Sequence, residues 1–443
     1  PAVPRMMTHP QLSTSAPKPR KASAWVRAVL ALVLLCTALA ALVAWLNVRG
    51  EVALSDSANH AATANPQQIA QGAYLARAGN CAGCHTARGG AYYAGGLGIA
   101  TPFGTVYTSN LTPDAQTGLG QWTPDAFWRA MHHGRSSDGR LLYPAFPYTS
   151  YTQVSRADSD ALFAYLRSIP AVVQANRPHE LAFPYSSQAA LAVWRALFFR
   201  AGEFTPEPQQ SAKWNRGAYL VRGLGHCAAC HAERNFLGAS SSAQALQGGV
   251  IPMQRWYAPS LASAREASVA DWDTQEVVTL LKSGTSSRAS AMGPMAEVVF
   301  SSTQYLNDTD LQAMAAYLKQ LPQHTQAPRT AKAPDASQFS SGKKIYEDQC
   351  AQCHGEQGEG AQGAYPALAG NRVVTMDSPA NLVQIVLHGG FAPATADNPR
   401  PYGMPPYQQT LDGAQIAAVL SFIRSAWGNT ANPVSPLEVL QNQ

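Results

Sequence analysis

One short pattern, two cysteines separated by two residues and followed at once by histidine, constrains the fold more than any other feature. It occurs three times, as Cys81-Ala-Gly-Cys84-His85, Cys227-Ala-Ala-Cys230-His231 and Cys350-Ala-Gln-Cys353-His354. Structural disulfides are expected at irregular spacings across loops, so three identical spacings indicate a different chemistry. The copies lie 227 − 81 = 146 and 350 − 227 = 123 residues apart, which is enough for each to occupy its own domain.

The C-x-x-C-H pattern predicts covalent attachment of a c-type haem. The two thiols add to the two vinyl groups of one haem, and the adjacent histidine reaches the iron as its proximal ligand. We therefore predict three haem c groups, with His85, His231 and His354 as iron ligands. The carbonyl of Pro366, 366 − 354 = 12 residues after His354, is predicted to accept the imidazole proton and orient the ring.

Two other kinds of cysteine site match the sequence less well. A structural zinc site needs four ligands, whereas each cluster here supplies three. A thioredoxin-like redox pair needs a βαβ context, and the residues around the three motifs show none.

Similar segments flank the three motifs. Each is preceded by a helical segment that contains a glycine, namely Gly72, Gly217 and Gly342. Each domain also closes with a helical segment bearing an aromatic residue, namely Tyr165, Tyr317 and Phe422. An opening helix, a haem motif and a closing helix predict a compact all-α unit that is repeated in tandem.

The N-terminal region predicts a membrane anchor. Residues 28–46 are apolar and carry no charge, and a membrane span needs about 20 such residues. The preceding segment contains basic residues and no acid, which places it in the cytoplasm and the haem domains in the periplasm of a bacterial inner membrane. A cleaved signal peptide is the alternative, although its apolar core is usually about 7–15 residues long.

The predicted organisation follows from these features. The segments are a disordered cytoplasmic N-terminus 1–24, a transmembrane anchor 25–48, a tether 49–65, haem domains 66–172, 212–325 and 337–428, linkers 173–211 and 326–336, and a C-terminal tail 429–443.

A second axial ligand is expected from a later loop in each domain, and a methionine there raises the potential of a histidine-ligated haem. Met404 lies in a Gly-Met-Pro-Pro loop and is the predicted ligand of the third haem. The second domain offers two methionines. We favour Met295, which follows a proline and lies nearer the closing helix, with Met292 as the alternative.

The first domain has a phenylalanine where methionine is expected. Phe146 lies in the matching loop, and its side chain has no atom that can bind iron. Three alternatives stay open: the first iron is five-coordinate, His132 or His133 binds it, or Met131 binds it. In each case the first haem is expected to differ from the others in potential or spin state.

The linker 173–211 contains a predicted amphipathic helix. Leu191, Trp194, Leu197 and Phe198 recur at helical spacing and form one apolar stripe. The stripe predicts either packing against the haem domains or a partner subunit, or an interfacial helix at the membrane surface.

Several segments together resemble a known family. The segments that carry the resemblance are Ser109-Asn-Leu-Thr-Pro113, Tyr143-Pro-Ala-Phe-Pro-Tyr148, Trp214-Asn-Arg-Gly-Ala-Tyr-Leu220 and Gly293-Pro-Met-Ala296. The arrangement resembles the triple-haem cytochrome c subunits of bacterial membrane-bound dehydrogenases for alcohol, gluconate, fructose or aldehydes. The Pro-Ala-Phe-Pro version around Phe146 is most similar to the cytochrome partners of molybdenum enzymes that oxidise aldehydes or N-heterocycles. The resemblance then implies a molybdopterin subunit and an iron–sulfur subunit as partners.

The expected function is electron transfer. No nucleophile–base pair, nucleotide loop or carboxylate dyad stands out, so the chain is expected to have no catalytic site of its own. Electrons are expected to pass from a catalytic dehydrogenase subunit, through the haems, to ubiquinone or another respiratory acceptor. The alternatives are a peroxidase or ligand-binding protein with a five-coordinate first haem, and the cytochrome subunit of a terminal oxidase. The net charge of +5 is modest and the basic residues form no stripe, so nucleic-acid binding is not indicated.

Overall fold

The computed structural model describes residues 24–52, 54, 65–240, 246–324 and 330–443. The chain divides into two compact units, residues 1–49 and residues 50–443. The first contains helix α1 (Ala24–Val48), which is long and apolar enough to cross a membrane, with a mean hydropathy of 2.7 over its most apolar 18 residues. The predicted disordered segment 1–24 lies outside the described residues except for Ala24, as does most of the predicted tether 49–65.

The second unit repeats one helical plan three times. An opening helix, a short helix that carries the cysteine motif, a third helix and a closing helix follow one another in each repeat. In the first repeat these are α2 (Pro66–Ala78), α3 (Cys81–His85), α4 (Pro124–His133) and α6 (Arg156–Ser168). In the second they are α8 (Ala212–Arg222), α9 (Ala228–His231), α10 (Thr274–Ser283) and α12 (Asp308–Lys319). In the third they are α13 (Ala336–Gln349), α14 (Ala351–His354), α16 (Ala380–His388) and α17 (Gly413–Ser425).

The glycines noted in the opening segments lie where the opening and closing helices cross. A Cβ at Gly72 would collide with the carbonyl oxygen of Ala161, which lies on the closing helix of the first repeat. The same collision would occur between Gly217 and Ala313, and again between Gly342 and Ala418. Only glycine permits this close approach of two helix backbones, so these three glycines set the packing of the three repeats.

Side chains cap the crossing helices at their N-termini. Asn65, Ser211 and Asp335 each accept a hydrogen bond from a backbone N–H in the first turn of the opening helix. The caps of the closing helices are Ser155, Asn307 and Asp412. Each cap satisfies a backbone donor that the helix itself leaves free, which fixes where the helix begins.

Shorter elements fill the connections. They are α5 (Tyr148–Tyr151), α7 (Gln188–Phe198), α11 (Gly293–Ser301), a 3-10 turn (Thr303–Tyr305), α15 (Arg372–Thr375) and α18 (Pro436–Gln441). Three small antiparallel sheets accompany them. The first joins β1 (Gly98–Thr101), β2 (Gly104–Tyr107) and β3 (Glu180–Leu181) in that order, the second pairs β4 (Gly249–Val250) with β5 (Tyr257–Ala258), and the third pairs β6 (Gly390–Phe391) with β7 (Gly403–Met404). The predicted all-α class is confirmed for a mostly helical chain, although these short strands were not foreseen.

Each repeat has its own hydrophobic core, and the first two cores exchange residues. Ala78, at the end of the first opening helix, is buried in the core of the second repeat. Leu224, which follows the second opening helix, is buried in the core of the first repeat. The two attachment segments therefore lie at a shared boundary.

The second and third repeats meet through polar contacts. The side-chain amide of Asn381 accepts from the backbone N–H of Tyr257 (2.9 Å) and donates to its carbonyl (2.8 Å), as a neighbouring strand would. Arg372 forms an ion pair with Asp271 (2.8 Å) and donates to the Ser268 carbonyl (2.7 Å). The second repeat therefore contacts both of the others.

Three candidate haem-attachment sites

The six paired cysteines lie on, or directly before, the three short attachment helices, and none of the six is in a disulfide. Burial raises the pKa of the Cys81 and Cys227 thiols to about 12, and raises that of Cys350 to about 11. Before haem is attached, these thiols are therefore protonated at neutral pH. A redox-active C-x-x-C pair instead depends on a thiolate with a lowered pKa.

The histidine of each motif is held by a backbone carbonyl. The Nδ1 atoms of His85 and His231 lie 2.7 Å from the carbonyl oxygens of Ser109 and Pro259. Burial lowers the pKa of both imidazoles, so the rings are neutral. Because a carbonyl can only accept, Nδ1 carries the single ring proton, and Nε2 is left with a free lone pair. A metal-binding histidine is oriented in this way in many proteins.

The third histidine has the same arrangement. His354 Nδ1 lies 3.0 Å from the carbonyl oxygen of Pro366, so the predicted contact with Pro366 is confirmed. The corresponding acceptors in the other two domains were missed. Their separations from the histidine are 24 and 28 residues, against 12 in the third domain, so no fixed spacing could have identified them.

A glycine amide forms a hydrogen bond with the backbone carbonyl of each motif histidine. The amides of Gly95, Gly248 and Gly360 donate to the carbonyls of His85, His231 and His354 at 2.8, 3.0 and 2.8 Å respectively. All three glycines have positive φ, of 74°, 84° and 67°. A Cβ at any of them would clash with the backbone beside the accepting carbonyl, so glycine lets the histidine and its acceptor approach each other.

The predicted distal residues occupy related positions. The third helix of each repeat ends at a glycine with positive φ: Gly134 (57°), Gly284 (78°) and Gly389 (65°). The segment after this glycine then brings a partly buried side chain back against the core of the same repeat: Phe146 in the first, Met295 of α11 in the second and Met404 of β7 in the third. The intervals are 146 − 134 = 12, 295 − 284 = 11 and 404 − 389 = 15 residues. Phe146 is thus the structural counterpart of the two methionines.

The structure separates the two methionines of the second domain. Met295 packs against the core of its own repeat. Met292 lies at the N-cap of α11. Its Cε lies next to Gly390 of the third repeat, 3.5 Å from the position that a Cβ on Gly390 would take. Met292 is therefore a contact between repeats, which favours Met295 as the ligand.

Among the alternatives in the first domain, Met131 occupies an ordinary core position. It lies three residues before Gly134, as Leu281 lies before Gly284 and Val386 before Gly389. All three are buried, with exposures of 5%, 8% and 7%. The position is thus buried and apolar in all three repeats, so the burial of Met131 does not by itself indicate iron binding.

His132 and His133 are buried on the same helix. His132 stacks on Trp128 with ring centroids 4.4 Å apart, and its Nδ1 lies 3.5 Å from the Thr152 hydroxyl. Burial lowers the pKa of both rings, that of His133 to about 4, so both are neutral. The groups whose charge acts on His133 include Arg195 of the linker helix. These contacts are compatible with polar packing, and iron binding by His132 or His133 stays a prediction.

Phe146, in contrast, lies on the attachment side of the domain. Its ring is 5.4 Å from that of Tyr151, whose hydroxyl donates to the carbonyl of Gly79, two residues before the first cysteine. Burial raises the pKa of Tyr151, so its hydroxyl stays protonated and can donate. Sequence reasoning missed Tyr151.

The predicted linker helix forms as α7, but its apolar stripe does not face a single environment. Leu191 is buried and Trp194 donates from Nε1 to the Leu237 carbonyl (2.9 Å). Leu197 is 67% exposed and Phe198 is 37% exposed. The buried face instead includes Arg195, whose guanidinium lies over the rings of Tyr148 and Phe199. Leu191 and Trp194 therefore pack within this chain, whereas packing of Leu197 and Phe198 against a partner subunit or the membrane surface stays a prediction.

Comparisons with known proteins agree with this geometry. The family model described as cytochrome c matches residues 69–170, 215–322 and 339–427. The cytochrome c subunit of the quinone-dependent alcohol dehydrogenase of Gluconacetobacter polyoxogenes is 40% identical over 380 residues, covering 82% of this chain and 81% of that protein. The gluconate 2-dehydrogenase cytochrome c subunit of Pantoea cypripedii is 38% identical over 387 residues, covering 83% and 87%. A subunit of the nicotinate dehydrogenase of Pseudomonas putida is 42% identical over 362 residues, covering 80% of this chain and 30% of that longer protein.

Proposed function

Because the chain belongs to the cytochrome c family, alongside the cytochrome c subunits of alcohol and gluconate dehydrogenases, we propose that it relays electrons from a catalytic dehydrogenase subunit to a respiratory acceptor. The observation that carries this proposal is the threefold repetition of one site. Each C-x-x-C-H motif ends in a neutral histidine whose Nδ1 proton is held by a carbonyl. The relatives support this relay, and not the peroxidase or terminal-oxidase alternatives.

We propose specific roles for the residues of each site. The cysteine pairs form the thioethers, and His85, His231 and His354 supply the proximal ligands. Each haem, once bound, supplies one-electron oxidation and reduction at its iron. The carbonyl acceptors hold the imidazoles in one tautomer and one orientation, which fixes the ligand field without using a side chain.

On the distal side, we propose Met295 and Met404 as the sixth ligands of the second and third irons. Methionine ligation raises the potential of a haem that already has histidine on the other side. The first haem then lacks a methionine, because Phe146 holds the corresponding place. It is expected to have a lower potential than the other two.

For the partner, we propose a molybdenum enzyme that oxidises an aldehyde or an N-heterocycle, with molybdopterin and iron–sulfur subunits. The similarity to the nicotinate dehydrogenase of Pseudomonas putida supports this choice, since nicotinate is an N-heterocycle. The loop around Phe146 supports it as well. The similarity to the alcohol dehydrogenase subunit is of comparable strength, so the partner's metal content distinguishes the two classes.

For the location, we propose that α1 holds the chain in the inner membrane and that the haem domains lie in the periplasm. The helix has the length and apolarity that membrane association requires. The basic residues before it favour a cytoplasmic N-terminus. This position supports ubiquinone, a lipid-soluble acceptor, as the outlet for electrons.

The test is to solubilise the complex gently, capture it through this chain, and measure haem and molybdenum. The expected result is three haems and about one molybdenum per chain, with haem reduction when an aldehyde or N-heterocycle is added. Three haems without molybdenum would replace the molybdenum partner by a flavin or quinone-cofactor dehydrogenase. Fewer than three covalent haems would contradict the relay itself.

A further inference from the structure

Two tyrosines join the first and second domains through matching contacts. The hydroxyl of Tyr219, on the second opening helix, donates to the Asp158 carboxylate (2.5 Å) and accepts from the Ser155 backbone N–H (3.1 Å). In the opposite direction, the hydroxyl of Tyr74 donates to Asp310 (2.6 Å).

The Tyr74 hydroxyl also accepts a backbone hydrogen bond, as the Tyr219 hydroxyl does. The backbone N–H of Asn307 donates to the Tyr74 hydroxyl at 3.4 Å. Ser155 and Asn307 are the N-caps of the two closing helices, and the two aspartates each lie three residues after the cap. Each opening helix therefore supplies a tyrosine whose hydroxyl forms hydrogen bonds with the N-cap and first turn of the other domain's closing helix.

The two tyrosines also occupy the same position in their repeats. Each lies two residues after the glycine at the helix crossing, Gly72 or Gly217. One such contact could be incidental. The same donor and acceptor pattern in both directions is what a two-fold relation between the two domains produces.

Burial and the neighbouring carboxylate raise the pKa of both tyrosines, so both hydroxyls stay protonated and can donate. Asp310 is 5% exposed and also forms an ion pair with Arg216 (2.8 Å). Both tyrosines therefore make charge-assisted hydrogen bonds at partly buried positions, and such bonds are stronger than those between neutral groups.

The haem-attachment segments lie inside this boundary. The carbonyl of Gly79, just before the first motif, accepts from the Tyr151 hydroxyl (3.2 Å) and from His226 Nε2 (3.3 Å). His226 directly precedes the second motif. The boundary therefore brings the residues just before the two motifs into contact.

The third domain lacks this tyrosine contact. Lys344 stands two residues after Gly342, where the other repeats have tyrosine, and its side chain is exposed. The third domain instead meets the second through Asn381 and Arg372. The reciprocal tyrosine contact is therefore specific to the first two domains.

We propose that the first two domains form one pseudo-symmetric two-haem unit, in which the hydroxyls of Tyr74 and Tyr219 are positioning residues that fix the spacing of the first two attachment sites. The inference rests on the proposed function, because this spacing matters for an electron carrier. The third domain is joined to that unit as a separate module.

The test compares Tyr74→Phe, Tyr219→Phe and the double variant with the haem-loaded wild-type chain. Tyr317→Phe is the matched control, since its hydroxyl accepts from Arg222 (2.9 Å) inside the second domain. Hydrogen exchange is followed by mass spectrometry at the first turns of both closing helices. Loss of one hydrogen bond to a charged group is expected to raise exchange about tenfold at both turns, because the boundary opens as one unit. The double variant should show a larger rise, and the control none.

A potentiometric titration supplies the second readout. Nearby redox centres shift each other's potentials electrostatically, so the reduction steps of the first-domain and second-domain haems should move towards each other in the double variant and stay apart in the control. The proposal would be overturned if hydrogen exchange rose only at the helix turn whose own tyrosine hydroxyl was removed. It would also be overturned if the reduction steps did not move. Haem content is measured in every sample, so a failure of haem loading is recognised separately from a failure of the two-haem unit.

Discussion

The first and third domains hold the proximal side of their sites with the same set of groups. In each, a backbone carbonyl accepts from the histidine Nδ1 and a glycine amide donates to the histidine carbonyl. On the distal side the two domains differ. The third places Met404 on a two-stranded sheet, whereas the first places Phe146 beside Tyr151.

The difference shows how the two faces of such a site are specified. Backbone groups build the proximal face, so the fold reproduces it wherever the glycines and the motif occur. A single side chain determines the chemistry of the distal face, the side opposite the motif histidine. A single substitution can therefore change the potential of one haem without changing its attachment. The three haems of one chain can therefore be tuned separately on a common scaffold.

The largest effect is expected from removing a methionine ligand. Met404→Ala should lower the potential of the third haem by roughly 0.1–0.3 V, within the range of about 0.8 V that axial ligands span. Redox titration of the purified chain measures this shift. Phe146→Ala is the matched variant in the first domain, and an equal shift there would remove the distinction between the two domains.

A smaller but general effect is expected at the helix crossings. Gly217→Ala should destabilise the second domain by about 3 kcal/mol, because the added Cβ meets the Ala313 carbonyl. Thermal unfolding of the haem-loaded chain measures it. Gly202→Ala is the control, since nothing lies within 4 Å of its Cβ position and its effect should stay below about 0.5 kcal/mol. Equal stability of both variants would show that the crossing does not need glycine.

Converting the first domain to the third domain's pattern should give an intermediate effect on potential. Phe146→Met places a thioether where the other domains have one, so the first haem's potential should rise by about 0.1 V. The charge-transfer absorption of methionine-bound ferric haem should increase at the same time. Neither change would occur if another residue already fills that position.

The smallest effect is expected at the two buried histidines of the first domain. His132→Leu should cost about 1 kcal/mol, through the lost stack on Trp128, and should leave the first haem's spectrum unchanged. His133→Leu should likewise leave the spectrum unchanged. A changed spin state or potential in either variant would identify that histidine as the sixth ligand and contradict its role as packing.

The sequence was most informative where chemistry depends on local spacing. The cysteine and histidine motifs, the mostly helical class and the Pro366 acceptor could all be predicted, because a fixed pattern or a nearby residue defines each of them. The Ser109 and Pro259 acceptors could not, since backbone carbonyls have no sequence signature and their separations from the histidine vary.

The contacts between domains could not be predicted from local sequence patterns either. The tyrosine in Gly-Ala-Tyr of the first two repeats was visible as a repeat, but its partners Asp310 and Asp158 lie 236 and 61 residues away. The linker helix was predicted, yet its buried face depends on Arg195 lying over the rings of Tyr148 and Phe199, an arrangement that hydrophobic periodicity does not reveal.

The most direct measurement is a count of methionine-bound haems in the fully oxidised chain, by near-infrared magnetic circular dichroism calibrated against total covalent haem. Three haems per chain are expected, of which two are bound by methionine and one is not. Three methionine-bound haems, or fewer than two, would contradict the assignment of Met295 and Met404 as ligands and of Phe146 as the residue that sets the first haem apart.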